Sequence, residues 1–228
     1  MIGIIAAMSL EIETLRDKLA DPADRTVSGI RFTSGKLGGK DAVLAVCGIG
    51  KVNAALCTEA MILTYAPELI INTGVGGAVG DGLSVCDVVI STSLVQHDMD
   101  TTPIGDPAGF ISGPDRVYFD ADPEAGGLMK TCLEKRGVKC RMGVIASGDQ
   151  FISGGERKEF IKNTFGADAC EMEGASVAQV CFVNGVRFCV VRAISDGADG
   201  ESHMDYPTFA AAAAKNSAAA VLDFMESL

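Results

Sequence analysis

The chain contains only two histidines, and no CxxC pair occurs among its eight cysteines. A structural zinc site needs closely spaced Cys and His ligands, so the spacing excludes one. Basic residues are also few: 19 Lys and Arg stand against 30 Asp and Glu, a net charge of -11. Nonspecific binding to nucleic acid, or to an anionic membrane surface, needs a basic footprint that is missing here. No uncharged apolar run is long enough to cross a bilayer. The opening MIGIIAAMSLEIE has no basic start and meets Glu11 too early for a secretory leader. No GK[ST] triplet occurs, which removes the P-loop. The remaining expectation is a soluble, cytoplasmic protein acting on a small neutral or cationic molecule. Its cysteines sit in apolar runs such as AVCGIG and AQVCFV, as buried free thiols of a reducing compartment do.

A length of 228 residues with 48% hydrophobic content is ample for a large core. Apolar runs alternate with helical patterns. Strands are expected over 2–7, 30–37, 42–47, 69–72, 87–91, 142–146 and 188–194, with a hairpin turned by GGK after residue 37. Helices are expected over 10–19, capped by Ser9, and over 52–65, 124–136, 155–163, 174–184 and 206–227. No linker or change of composition divides the chain. The expected fold is one α/β domain, residues 1–228, with a mixed central sheet and helices on both faces. The Pro-, Gly- and Asp-rich stretch 98–118 reads as a long loop, and such loops serve function or interfaces.

Several stretches could carry chemistry. INTGVGGAVGDG (71–82) reads as a strand followed by a glycine turn that lets backbone approach a ligand, although it misses the GxGxxG spacing. CGIGKVNAA (47–55) is a second such turn, and two at strand ends suggest one shared crevice. Phe151, in ASGDQFISGGE, could stack on a base or plug the core. Glu171 and Glu173 flank Met172 in an otherwise apolar stretch, where a carboxylate is costly unless paired or used. They share a face if the backbone is extended and diverge if it is helical. Asp196 closes the run CVVRAISD, at the kind of strand tip where α/β sheets bind ligands. Glu11 alone reads as an ordinary residue of a first helical turn. In HDMD (97–100), one histidine and two carboxylates are too sparse a set for a metal, and none is expected.

Taken together, IGIIAAMSLEIE, GIGKVNAA, INTGVGG, HDMD, SGDQFI, CEMEGASVAQVC and VVRAISDGAD, in this order over nearly the whole chain, resemble the 5′-methylthioadenosine/S-adenosylhomocysteine nucleosidases of the purine nucleoside phosphorylase superfamily. The resemblance implies hydrolysis of an N-ribosidic bond with release of adenine, in recycling of these thionucleosides and of 5′-deoxyadenosine, with no cofactor. It implies Asp196 as general acid to the purine, Glu11 as base to water and Arg192 near the water. Glu173 would hold the ribose hydroxyls beside Met172. Phe151 would stack on adenine, with backbone at Ile152 reading its edge. Met8, Ile49, Val75, Ser195 and Tyr206 would line the remainder, and Ile104 would be delivered by the second subunit of a homodimer. The chain departs from the family at Val75, where many members have serine, at Ser9 and Leu10, where many have glutamates, and at Ile104, where some have an aromatic. Three other functions stand beside hydrolysis of these nucleosides: a purine nucleoside phosphorylase, a hydrolase for another nucleoside such as futalosine, and a binding module without chemistry.

Overall fold

A computed structural model describes residues 1–153, 155–196 and 206–228, with the backbone alone over 206–210. Among the described residues ten strands form one mixed sheet: β1 (Ile2–Ala6), β2 (Ala20–Val27), β3 (Ile30–Leu37), β4 (Lys40–Val46), β5 (Leu69–Ala78), β6 (Val88–Gln96), β7 (Tyr118–Asp120), β8 (Cys140–Ser147), β9 (Ala167–Glu171) and β10 (Arg187–Asp196). Among the described residues six α-helices surround it: α1 (Glu13–Asp17), α2 (Lys51–Tyr65), α3 (Pro123–Lys135), α4 (Gly155–Phe165), α5 (Gly174–Asn184) and α6 (Tyr206–Ser227).

The sheet has a closed part and an open part. β5 and β10 run parallel, β10 meets β6 antiparallel, β6, β8 and β9 follow in parallel, and β9 returns to β5 antiparallel. β1 extends β5 on the other side, followed by β4, β3 and β2, while β7 pairs with β6. The near-continuous apolar strands β1 and β10 are buried along almost their whole length, as strands covered on both faces must be. α1, α3 and α6 pack one face around Leu15, Leu133, Val221 and Phe224. α2 and α5 cover the other around Cys57, Met61, Ala178 and Cys181, and α4 lies over β8 and β9.

Helix limits follow local chemistry. The Asp122 side chain accepts from Ala125 N at 2.8 Å and Pro123 opens α3, a favoured N-terminal pair. α5 stops at Gly185, whose φ of 68° is left-handed and inexpensive only for glycine.

The expected strands and helices are present, with three corrections. The segment read as a helix over 10–19 is a 3-10 turn, Ser9–Glu11, followed by the short α1, and Ser9 does not cap it. Ile12, Leu15 and Leu19 still face the core together. β2, β7 and β9 were not expected. β2 is polar, exposed and carries Pro22, all features of an edge strand. The glycine-rich segment is not a turn until after Ala78, because β5 runs straight through Gly74, Gly76 and Gly77.

Candidate active site

The reason for those glycines lies across the sheet. Parallel pairing of β1 with β5 brings the turn after β1 beside Gly74. There the buried carboxylate of Glu11 accepts Ala7 N (3.0 Å) and Met8 N (2.8 Å) on Oε2, and Val75 N (3.1 Å) on Oε1. A Cβ at Gly74 would sit 2.7 Å from Glu11 Oε1. Burial raises the Glu11 pKa above 4.5, against the opposing pull of Arg192 and the three N–H groups. Val75 thus contributes its backbone N–H to the site.

Asp196 ends β10 opposite Gly77, after a break in register. A Cβ at Gly77 would meet its Oδ2 at 2.9 Å. Ser195 Oγ donates to Asp196 Oδ1 at 3.0 Å, and Lys158 Nζ on α4 forms a buried ion pair with Oδ2 at 3.4 Å. Sequence reading missed Lys158. Its signal was present: it shares the buried stripe of α4 with Ile161 and Phe165, at i, i+3 and i+7.

The Glu-Met-Glu stretch divides its two carboxylates between different tasks. Glu171, at the end of β9, accepts Arg192 Nε at 3.0 Å and Nη2, Ser147 Oγ, and the N–H groups of Glu173 (3.1 Å) and Gly174 (2.8 Å). It is saturated. Glu173 lies just past the strand at the start of α5, where its Oε1 accepts Gly50 N at 2.8 Å and its Oε2 stands 3.9 Å from Arg192 Nη2. Burial, then the charge of Glu171, pushes the Glu173 pKa up to about 7 despite Arg192.

Arg192, expected on the catalytic wall, lies behind it. It is 2% exposed and donates to Glu171, to Asn72 O (3.2 Å), to Asn72 Oδ1 (2.5 Å) and to Val191 O (3.1 Å). Burial opposes its charge, and Glu171, Glu173 and Glu11 together outweigh burial. It therefore positions the carboxylates and does not border the cleft. A buried cation of this kind is stable only with such a full set of partners.

Glu173 buried as an anion has a consequence for stability. Its folded pKa, about 7, lies above the ordinary 4.5, so the folded form binds the proton more tightly. The resulting cost is absent below pH 4.5, grows as pH rises and is complete above 7. Glu173→Gln is therefore expected to melt higher than the wild type at pH 8, with the gain fading towards pH 4.5. Thermal melts of both proteins across that range check it.

Glu11, Glu173 and Asp196 border one cleft at the C-terminal ends of β5 and β10, with about 610 Å³ of free space, part of it open to solvent. Met8, Ile49, Val75, Phe151, Ile152, Met172 and Ser195 also line it, so ten of the thirteen expected site residues come together. Phe151 is 56% exposed where it lines the cleft. The Cys170 thiol, pushed up to about 12 by burial, adds a neutral wall. Arg192 is displaced as described. Ile104 is 81% exposed in the 98–118 loop and does not reach the cleft of its own chain. Tyr206 opens α6, but its side chain lies outside the described residues. His97, Asp98 and Asp100 do not converge, since Asp98 binds Lys51 and Asp100 binds the Thr102 N–H.

This mixed sheet, with carboxylates gathered at one set of strand ends, is the architecture of the phosphorylase superfamily, whose family model matches residues 1–226. A 5′-methylthioadenosine/S-adenosylhomocysteine nucleosidase of Staphylococcus carnosus is 39% identical over the whole of both chains. The chain belongs to that nucleosidase family. The nucleosidase of Neisseria meningitidis, solved with methylthio-immucillin-A, superposes with a TM-score of 0.95 at 36% identity, covering 100% of this chain and 99% of the other. Futalosine hydrolase of Helicobacter pylori strain 26695 is similar too, with a TM-score of 0.94 at 36% identity, covering 100% and 97%.

Proposed function

We propose that the protein hydrolyses the N-glycosidic bond of 5′-methylthioadenosine and S-adenosylhomocysteine, releasing adenine and the thioribose. The observation that carries this is the placement of Glu11 and Asp196 over one glycine-lined strand, at Gly74 and Gly77. Three residues of strand amount to about 10 Å, room for a ribose and its base between them. Breaking the bond builds positive charge on the sugar and negative charge on the purine. Asp196 passes a proton to the purine nitrogen as the bond breaks. Glu11 takes the proton of the attacking water. Glu173 binds the ribose hydroxyls and faces the developing cation. Phe151 stacks on the base, and backbone at Ile152 reads its edge. Met8, Ile49, Met172 and Val75 enclose the sugar and its sulfur substituent.

A phosphorylase would need cations directed at a phosphate. Among the described residues the arginine nearest the site, Arg192, is committed to Glu171 and Asn72, and the Ala7 and Met8 N–H groups already hold a carboxylate. Water as the acceptor fits better. The likeness to a futalosine hydrolase keeps that nucleoside as the second candidate substrate. Methylthioadenosine, adenosylhomocysteine, 5′-deoxyadenosine and futalosine are assayed side by side, with and without phosphate. The first two are expected to be cleaved fastest and phosphate to change nothing. A phosphate requirement, or turnover of futalosine alone, overturns the assignment.

The assembly that fits is a homodimer with Ile104 completing the partner's cleft. Val52, Leu56 and Leu63, at i, i+4 and i+11 of α2, Val183 on α5 and Ile104 itself are all exposed, as residues of a subunit contact would be in the isolated chain. The eight free cysteines support a reducing cytoplasm as the location.

A further inference from the structure

The HDMD stretch, which supplies no catalytic group, ties two walls of the cleft together. Asp98, just past β6, accepts Lys51 Nζ on Oδ1 at 2.7 Å and the Asp149 N–H on Oδ2 at 2.8 Å. The Lys51 N–H donates in turn to Asp149 Oδ1 at 2.8 Å, closing a ring of three residues drawn from three segments. One side of the ring leads to the base: two residues beyond Asp149 stands Phe151. The other side leads to the sugar: the N–H before Lys51, that of Gly50, holds Glu173 Oε1, and Lys51 O accepts Ser176 Oγ at 2.7 Å. The loop lies directly against HDMD, since a Cβ at Gly148 would collide with the His97 ring and come within 3.0 Å of Asp98 Cγ. The Lys51 and Asp98 side chains are 19% and 15% exposed, so each has surrendered most of its water to the pair. Burial opposes the Asp98 charge, and its bonds to Lys51 and Asp149 outweigh that, holding the carboxyl below its ordinary value.

We infer that Asp98 is a positioning residue, fixing the loop that carries Phe151 against the Gly50–Glu173 contact so that base and sugar walls keep one spacing. It touches nothing in the cleft and acts through Asp149 and Lys51. The inference rests on the nucleosidase reading, in which Phe151 faces adenine and Glu173 the ribose.

Asp98→Asn keeps the shape but presents an amide N–H₂ to one of the two donors, so one arm of the ring opens. A loosened wall weakens binding of ground and transition states alike, which raises KM and leaves kcat largely in place. The expected result is a KM for methylthioadenosine raised about tenfold or more, a Kd for free adenine weakened by a similar factor, and kcat within about threefold. Lys51→Gln, which opens the same ring from the other side, is expected to reproduce the pattern, and the double variant to add little to either single one. Wild-type cleavage and adenine binding are measured first, so failure of the nucleosidase reading appears there and not in the variants. Unchanged KM and adenine Kd in both folded variants overturn the inference. So does a loss confined to kcat, or a double variant whose effects simply add.

Discussion

Asp196→Asn is expected to fold normally and to lose about 10²–10⁴-fold in kcat/KM for methylthioadenosine, the usual contribution of a general acid. In free energy that is about 3–5 kcal/mol of transition-state stabilisation. Asparagine can keep its carbonyl oxygen on Lys158 Nζ and donate its N–H₂ to Ser195 Oγ, so the geometry around the β10 tip survives while the transferable proton does not. The loss should fall on kcat more than on KM, because adenine gains its proton only as the bond breaks. A thioriboside carrying nitrophenolate in place of adenine separates chemistry from mere disturbance. That leaving group departs without a proton, so the variant should cleave it nearly as well as the wild type. Near-normal adenine release by Asp196→Asn would remove this residue from the acid role, and equal losses on both substrates would point to a damaged cleft instead.

Glu11→Gln carries the second large effect, again about 10²–10⁴-fold in kcat/KM, because water loses its base. Here the pH profile is the sharper readout. A base works only when ionised, so the wild-type rate climbs tenfold per pH unit until Glu11 has lost its proton. Burial sets that point above the ordinary 4.5. The acidic limb of kcat/KM is therefore expected above the usual carboxylate range in the wild type, and its Glu11 component should be gone in Glu11→Gln. Structure adds a cost specific to this site. Three N–H groups converge on the carboxylate, and an amide must turn its own N–H₂ towards at least one of them. Glu11→Ala, which removes both the base and that clash, controls for it. A profile unchanged in both variants would assign the base elsewhere.

The sequence made the apolar strands, the long helices and the Asp196 tip legible because each is written in a continuous run with its own period. α5 and α6 were delimited correctly for that reason. The failures share a physical cause as well. β2 is polar, β7 and β9 are short, and the partners of β7 and β9 lie more than twenty positions away, so their strand character comes from the sheet more than from their own residues. Glycines in β5 imitate a turn because glycine signals both conformational freedom and close approach, and only the tertiary neighbours show which is meant. Glu11 looked ordinary until β1 was seen to run beside β5. Lys158 and the Lys51–Asp98 pair join residues 38 and 47 positions apart, a kind of information that no local pattern holds. Conversely, the Glu171/Glu173 ambiguity was a real property of the sequence. It was resolved by which carboxylate Arg192 saturates, not by helix or strand.

The bare stretch of β5 limits how this enzyme can diversify. At positions 74 and 77 the space of a first side-chain carbon is taken by the two carboxylates themselves, and at 76 it is taken by Cys170 O and Arg192. Even an alanine there competes with the reactive groups for the same volume. New substrate preferences must accordingly arise at the rim, through Met8, Ile49 and Gln150, while the floor of the chamber stays closed to mutational exploration.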